Sequence, residues 1–427
     1  MTPFYFILLF ITYLPIFDTK GRRIVLYIQA GLTLLSLFSG CGGMDIGFEG
    51  NFECLKDSIN SSMHPTWIKE DKGHWVTLSG TGFKTVFAND IKKEAKSAWV
   101  SYFKKRNINA NDIYHIESIV DLVKRHKSGE NIFPDNIDVV TGGFPCQDFS
   151  VAGKRLGFNS KKSHNGGNIE SDEATVENRG QLYIWMKEVV SIVQPKVFIA
   201  ENVKGLVSLN DVKEIIEIDF AKATEGGYLV IPARVLQVAN YGVPQSRERI
   251  IFYGFKRSAL TDKALQKLSN LELNKDIDPY PLPTHNYDLY NDTLSNFVTA
   301  RKAIIDLDEP DVSKDRSQQK YSKAKLNKGQ GNIEIKLDSI SPTIRSEHHG
   351  NIEFRRLDIE NGGKYIDEIE KGFKQRRLTI RECARLQTFP NDYQFILEKT
   401  EENVPVSASS AYKLIGNAVP CVMANNI

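Results

Sequence analysis

Residues 33–48, TLLSLFSGCGGMDIGF, open with a short apolar run, break on small residues from Ser39 to Gly43, and resume as an amphipathic stretch. That spacing predicts a strand, a glycine-rich turn and a helix, with Gly40, Gly42 and Gly43 letting a ligand approach the backbone before the helix begins. The pattern recurs in KTVFAND (84–90), IDVVTGGF (137–144), KVFIAENV (196–203) and RIIFYGF (249–255), each an apolar run ending in or bounded by small and polar residues. Such runs, separated by longer amphipathic segments, predict an α/β fold with a parallel sheet. Sheets of that kind bind ligands at the carboxyl ends of their strands, so the functional residues are expected there.

The turn is not the dinucleotide fingerprint, because Asp45 stands three residues after Gly42, which argues against a nicotinamide or flavin cofactor. Phe38 either stacks on an adenine ring or belongs to the core. Asp90 either accepts hydrogen bonds from ribose hydroxyls or caps the surface. The loop FPCQDFS (144–150) places Cys146 after Pro145, where strand-end amides favour a thiolate, although most cysteines are inert and buried. Glu201 and Asn202 end another run, so Glu201 is placed to lie near Cys146 across neighbouring strand ends. No histidine accompanies the pair in a motif, which disfavours a cysteine protease. Arg247 and Arg249, two residues apart and on one face, serve either the site or an ion pair with a neighbouring carboxylate.

With 427 residues, 41% hydrophobic and 25% charged, the chain has material for one large core or two modest ones. A formal net charge of +2 means that any nucleic-acid affinity must come from a local basic surface. Five scattered cysteines without a CxxC pair argue against a disulfide framework or a metal site and suit a reducing cytoplasm. The apolar stretch from Pro3 to Phe17 is shorter than the roughly 20 residues of a membrane span, is interrupted by Pro15 and follows no basic residue. Residues 1–30 therefore read as a leader outside the working protein, with translation starting nearer Gly31. Residues 31–255 form the first domain, and the polar insertion 50–82, with His64, Trp67, His74 and Trp75, reads as a surface excursion. Residues 256–377 are Lys-rich and lack regular alternation. There Arg345, His348, His349, Arg355, Arg356, Lys371, Lys374, Arg376 and Arg377 form a basic cluster that is either a solvated charged face or a surface suited to phosphates and guanine edges, and the stretch SEHHGNIEFRR within it leans toward a G- and C-containing target. The polar stretch 151–178 has the composition of a mobile loop following Cys146.

Taken together, FSGCGGMDIGF, GGFPCQDFS, ENVKG, QSRERI, RRLTIRECARLQTFP and GNAVP occur in the order seen in bacterial-type DNA cytosine-5 methyltransferases, and the chain resembles that family from about Leu34 to its end. The resemblance implies a class I, Rossmann-like S-adenosylmethionine-dependent catalytic domain, a smaller irregular target-recognition domain at 256–377, and a return to the catalytic domain over 378–427. It implies Cys146 as the nucleophile at C6 of a cytosine flipped out of duplex DNA, Glu201 at N3 and the amino group, and Arg249 at O2 with Arg247 assisting. For S-adenosylmethionine it implies Phe38, Gly40, Gly42, Gly43, Asp90, Glu117 at the adenine amino group, Pro145, Leu182 of RGQLY and Asn417 of GNAVP. Ile91 departs from the pattern, in which an aromatic residue follows the ribose-binding acid. The implied partner is double-stranded DNA, with no metal, a monomeric enzyme and a cognate restriction endonuclease as genetic partner. The same thiolate chemistry serves RNA in some members, but the long variable region speaks against it. A DNA-binding module without activity is disfavoured because Cys146, Glu201 and Arg249 are all present.

Overall fold

The computed structural model describes residues 31–107, 109–145, 182–208, 211–271, 277–286, 293–326, 331–346 and 352–427, with the backbone of two short paired strands at Leu14–Phe17 and Arg23–Leu26. Cys146, the stretch 151–178, His348 and His349, and the side chains of the apolar leader lie outside the described residues. Among those described, no helix is long and apolar enough to cross a membrane.

Seven strands form the central sheet: β1 (Leu32–Leu37), β2 (Phe83–Asp90), β3 (Tyr114–Ile116), β4 (Val139–Gly142), β5 (Val197–Val203), β6 (Tyr228–Gln237) and β7 (Glu248–Lys256), in the order β6-β7-β5-β4-β1-β2-β3. The five strands from β5 to β3 run parallel, and β7 pairs antiparallel with both β5 and β6. Pro232 sits where the register of β6 shifts, tolerated because β6 is an edge strand. The apolar runs are buried on both faces. Leu34, Val139, Ile199 and Ile251 point into one cluster, while their neighbours Leu35, Val140, Phe198 and Ile250 point into the other. Each such fully buried aliphatic contributes about 1.5–3 kcal/mol relative to exposure, which is why unbroken apolar runs mark these strands.

Helices α1 (Gly43–Glu49) and α2 (Lys93–Phe103) cover the first face; α3 (Ile119–Lys127), α4 (Leu182–Val193) and α5 (Val212–Ala221) cover the second. Near the C-terminus follow α6 (Ile380–Leu386), α7 (Ala408–Asn417) and α8 (Cys421–Asn426). Although short, α8 is firmly seated: a Cβ on Gly47 of α1 would fall 2.4 Å from both Ala424 Cβ and Cys421 O, so only glycine permits that approach. Residues of 256–377, among them Tyr280, Val298, Ile304 and Ile344, belong to the same apolar cluster as α1 and α2 rather than to a separate core.

The insertion 50–82 is not a surface excursion. Residues Glu53–Leu55, Ile68–Asp71 and Trp75–Leu78 build a three-stranded antiparallel sheet, and Phe52, Cys54, Leu55, Val76 and Leu78 are buried. Asn60 Nδ2 donates to the carbonyls of Thr284 at 3.0 Å and Thr293 at 2.9 Å, and His285 Nε2 lies 2.9 Å from Asp57 O. The insertion thus braces the irregular region against the sheet.

The basic cluster also needs correction. Arg355, Arg356, Arg376 and Arg377 are buried and committed internally, so they do not face a nucleic acid. Arg356 and Arg376 both pair with Glu309 at 2.9 Å, Arg376 also with Glu382, and Arg355 and Arg356 with Glu368. Arg377 donates to backbone carbonyls including Ala324 and Gly331. The inference to a G- and C-containing target loses Arg355 and Arg356, the arginines of the stretch it rests on.

Burial alone would raise the Glu309 carboxyl, but the hydrogen bonds and charges of Arg376 and Arg356 outweigh it and hold the group at about 2. A carboxyl depressed on folding stabilises the protein fully above the unfolded value of about 4.3, and that contribution is lost as pH falls toward 2, on the order of 3 kcal/mol. Glu309→Gln should therefore be less stable than the parent at neutral pH and lose less between pH 5 and pH 2.5 in urea unfolding, a window of about the two pKa values. Equal losses in both proteins would refute the role of this carboxylate.

Candidate active site

The strand order reverses between β1 and β4, whose carboxyl ends open into a cleft of about 1220 Å³. Ligand pockets of one small molecule run to roughly 300–1,000 Å³, so there is room for a nucleoside-sized group and an extruded base together.

The glycine turn forms one wall. Phe38 and Gly40 both take positive φ, 52° and 56°, and both line the cleft. The turn is fixed from several sides: Ser39 N–H donates to Asn89 O at 2.8 Å, Tyr114 OH to Gly40 O at 2.8 Å and Tyr393 OH to Cys41 O at 2.7 Å. Beneath it, the fully buried Asp45 accepts from Ser36 Oγ at 2.6 Å, from Ser39 Oγ and from Trp99 Nε1 at 2.7 Å. Sequence reading used Asp45 only to exclude a motif; its partners on β1 and α2 give it the task of joining strand, turn and helix. The three glycines differ. A Cβ on Gly40 would meet nothing nearer than Phe38 O at 4.0 Å, leaving open cleft above it, whereas one on Gly42 would strike the Trp99 indole at 2.6 Å and one on Gly43 the Val419 carbonyl at 2.2 Å. Gly40 leaves open cleft where a side chain would stand, whereas Gly42 and Gly43 are also required by packing, and Gly43 lines the cleft as well.

Asp90, at the end of β2, lines the cleft while accepting from the Gly40 and Lys92 amides at 3.2 and 2.9 Å. Burial pushes its carboxyl above the usual value, opposed by the Lys92 charge and these amides. Ile91, Ile119 and Leu182 supply apolar surface beside it, and Pro145 and Asn417 lie on the same cleft. Glu117 does not line it: its carboxylate is held by Arg125 at 2.6 Å on the outer side, while the next residues, Ser118 and Ile119, face inward.

At the opposite end, Glu201 Oε1 and Arg249 Nε meet at 2.7 Å, with side chains only 9% and 13% exposed. Arg249 Nη1 also donates to Glu248 O at 2.7 Å, which fixes the guanidinium plane. Gly143 makes space for this pair, because a Cβ there would lie 3.0 Å from Glu201 Oε2. Asn202 Nδ2 donates to Phe144 O at 3.2 Å and so holds the loop that leads to Pro145 and Cys146. Arg247 borders the cleft, and its guanidinium donates to the carbonyls of Ile344, Gly416 and Ala418 at 3.2, 2.9 and 3.0 Å. It precedes β7, so strand alternation does not align the two arginines. It clamps three chain segments around the site, assisted by Gln245, which donates to Leu386 O and accepts from Ile344 N–H.

A family model described as C-5 cytosine-specific DNA methylase matches residues 72–427. The chain is 31% identical over 410 residues to the Type II methyltransferase M.BsuRI of Bacillus subtilis, covering 93% of this chain and 78% of that protein. It is 27% identical to the Type II methyltransferase M.HpaII of Haemophilus parainfluenzae over 82% of this chain and 84% of that protein. Among solved structures it is similar to the Entamoeba histolytica methyltransferase EhMeth, at TM-score 0.52 and 13% identity, with 92% of this chain and 96% of that chain covered. The S. pombe Dnmt2 methyltransferase is similar at TM-score 0.50 and 17% identity, with the same coverage of both chains, 92% and 96%.

Proposed function

The chain belongs to the C-5 cytosine-specific DNA methylases, and from that premise we propose that it methylates C5 of a cytosine flipped from duplex DNA into this cleft, using S-adenosylmethionine and a covalent adduct through Cys146. The observation that carries the reading is the Glu201–Arg249 pair, beside the segment 143–145 that precedes Cys146 in the chain and across one cleft from Asp90.

The residues fit the cofactor: Gly40 leaves an open cradle, Asp90 retains lone pairs for ribose hydroxyls, and Phe38, Ile91, Ile119 and Leu182 offer apolar surface for adenine. Pro145 and Asn417 border the same space. When bound, S-adenosylmethionine supplies an electrophilic methyl group. Carbon 5 of cytosine is a poor nucleophile until the ring is activated. The Cys146 thiolate adds to C6 with its electron pair; Glu201 hydrogen-bonds N3 and the amino group, where charge develops, and Arg249 holds O2. After methylation, loss of the C5 proton to a base and elimination of Cys146 restore the aromatic ring and the thiolate. Arg247 keeps the surrounding loops in place.

The host role proposed is protection of DNA from a restriction enzyme of the same specificity, in keeping with the Type II methyltransferases to which the chain is similar. Incubation with methyl-labelled cofactor and either duplex DNA or tRNA, followed by digestion to nucleosides, tests the reaction. Label should appear as 5-methylcytosine in duplex DNA; label in tRNA alone, or on another atom of the base, would overturn the reading.

A further inference from the structure

With a net charge of only +2, the chain must concentrate positive charge where a polyanion binds, and the cleft does so: Lys92, Lys204, Arg247, Arg249, Arg345 and Lys413 line it against three carboxylates. Lys204 pairs with Glu248 at 2.8 Å, Arg249 with Glu201, and Arg247 donates to backbone carbonyls, while Lys92 lies two residues past Asp90. Arg345, held by Glu353, and Lys413 are the two whose backbones the fold brings side by side.

Arg345 differs from the buried arginines that follow it in sequence, because its side chain is 23% exposed and reaches the cleft. Glu353, 2% exposed at its side chain, orients it through a 2.6 Å ion pair, and its second oxygen, Oε2, is buried with no hydrogen-bond partner. Burial pushes the Glu353 carboxyl upward and the Arg345 charge opposes it, and the pair holds the guanidinium in one orientation. Lys413 is exposed and, among the described residues, makes no ion pair. The two are brought together by Gly416: a Cβ there would lie 2.4 Å from the Arg345 carbonyl carbon, so α7 abuts the Arg345 backbone, and Lys413 lies one turn earlier on the same side of that helix.

We propose that Arg345 and Lys413 form a phosphate-binding pair that grips the DNA backbone next to the flipped nucleotide, a role that rests on the DNA methyltransferase reading above. Arg345 offers a planar fork for two phosphate oxygens and Lys413 a mobile point charge. Contacts of this kind carry no sequence information; they fix the duplex while the base leaves it.

The test is the salt dependence of binding of a short fluorescein-labelled duplex to the full chain, between about 50 and 200 mM salt. Lys413→Gln and Arg345→Gln should each lower the slope of log affinity against log salt by about 0.9, equally for a methylatable and a scrambled duplex. Arg345→Lys should keep the slope, and cofactor affinity should be unchanged in all three. An unchanged slope in either folded Gln variant, or a loss of cofactor affinity in place of DNA affinity, overturns the pair. Lys413 is exposed, so its variant folds even if Arg345→Gln strands Glu353. Unchanged slopes in an enzyme that still makes 5-methylcytosine in DNA sink this inference alone; a parent that makes none sinks the functional reading.

Discussion

Cys146→Ala is expected to lower methyl transfer to duplex DNA by at least about four orders of magnitude, while cofactor affinity stays within about twofold of the parent. Each tenfold is about 1.4 kcal/mol of barrier, so the thiolate is being asked for more than 5 kcal/mol, a fair demand on the group proposed to convert an inert C5 into a nucleophile. Its chain neighbour Pro145 lines the cleft, and the loop is held through Phe144 O to Asn202, whose neighbour Glu201 carries the pair with Arg249. No competing thiol stands among the described residues. Cys41, Cys54, Cys383 and Cys421 are buried, and burial pushes each thiol far above its usual value. Cys41 borders the cleft, so Cys41→Ala is the matched control and should retain transfer. A duplex with fluorine at the target C5 adds a second readout: the proposed final step removes a proton from C5, fluorine cannot leave that way, and the parent should be trapped as a denaturation-resistant complex. Transfer or trapping that survives in Cys146→Ala would refute the assignment.

What the sequence shows of this molecule is set by how local the cause is. The strands and their site-bearing ends are legible because burial on both faces leaves an unbroken apolar run, and such a run needs no knowledge of its neighbours. Glu201 and Arg249 were singled out from two such ends, and antiparallel pairing of β5 with β7 brings them to 2.7 Å. The four buried arginines show the opposite case. Their basic composition points to DNA, but Glu309, which claims Arg356 and Arg376, lies 67 residues from Arg376, and the Ala324 carbonyl that holds Arg377 lies 53 residues away, so the local sequence does not show that the four are buried. Gly42 likewise reads as a ligand-approach glycine until Trp99, far along the chain, is found packed where its side chain would stand. Glu117, placed at the adenine amino group by resemblance, is paired with Arg125 on α3 at 2.6 Å, a partner eight residues on that the motif does not indicate. The insertion 50–82 was opaque because its hydrogen bonds from Asn60 and His285 span more than 220 residues.

Glu201→Gln and Arg249→Gln should each reduce kcat by roughly a hundred- to a thousandfold, comparable to deleting one preorganised donor from a charge-stabilising site. Their coupling is the more searching prediction. Because one 2.7 Å ion pair orients both groups, either single change also misplaces the survivor, so the double variant should be no more than about tenfold slower than the worse single variant. Independent effects would multiply instead, to a loss of ten thousandfold or more at the same magnitudes. The side chains are mostly buried, and breaking a buried pair can cost about 3–5 kcal/mol of stability, so denaturant midpoints must accompany the rates. Glutamine is chosen at Glu201 because it keeps the shape that Gly143 leaves room for. If the pair acts on the developing charge of the ring, kcat falls while affinity for DNA and cofactor is kept; if it only braces β5 against β7, stability falls and kcat per folded molecule is preserved. Multiplicative losses in well-folded variants would mean that the two residues act on the base separately, and that the contact between them is incidental to catalysis.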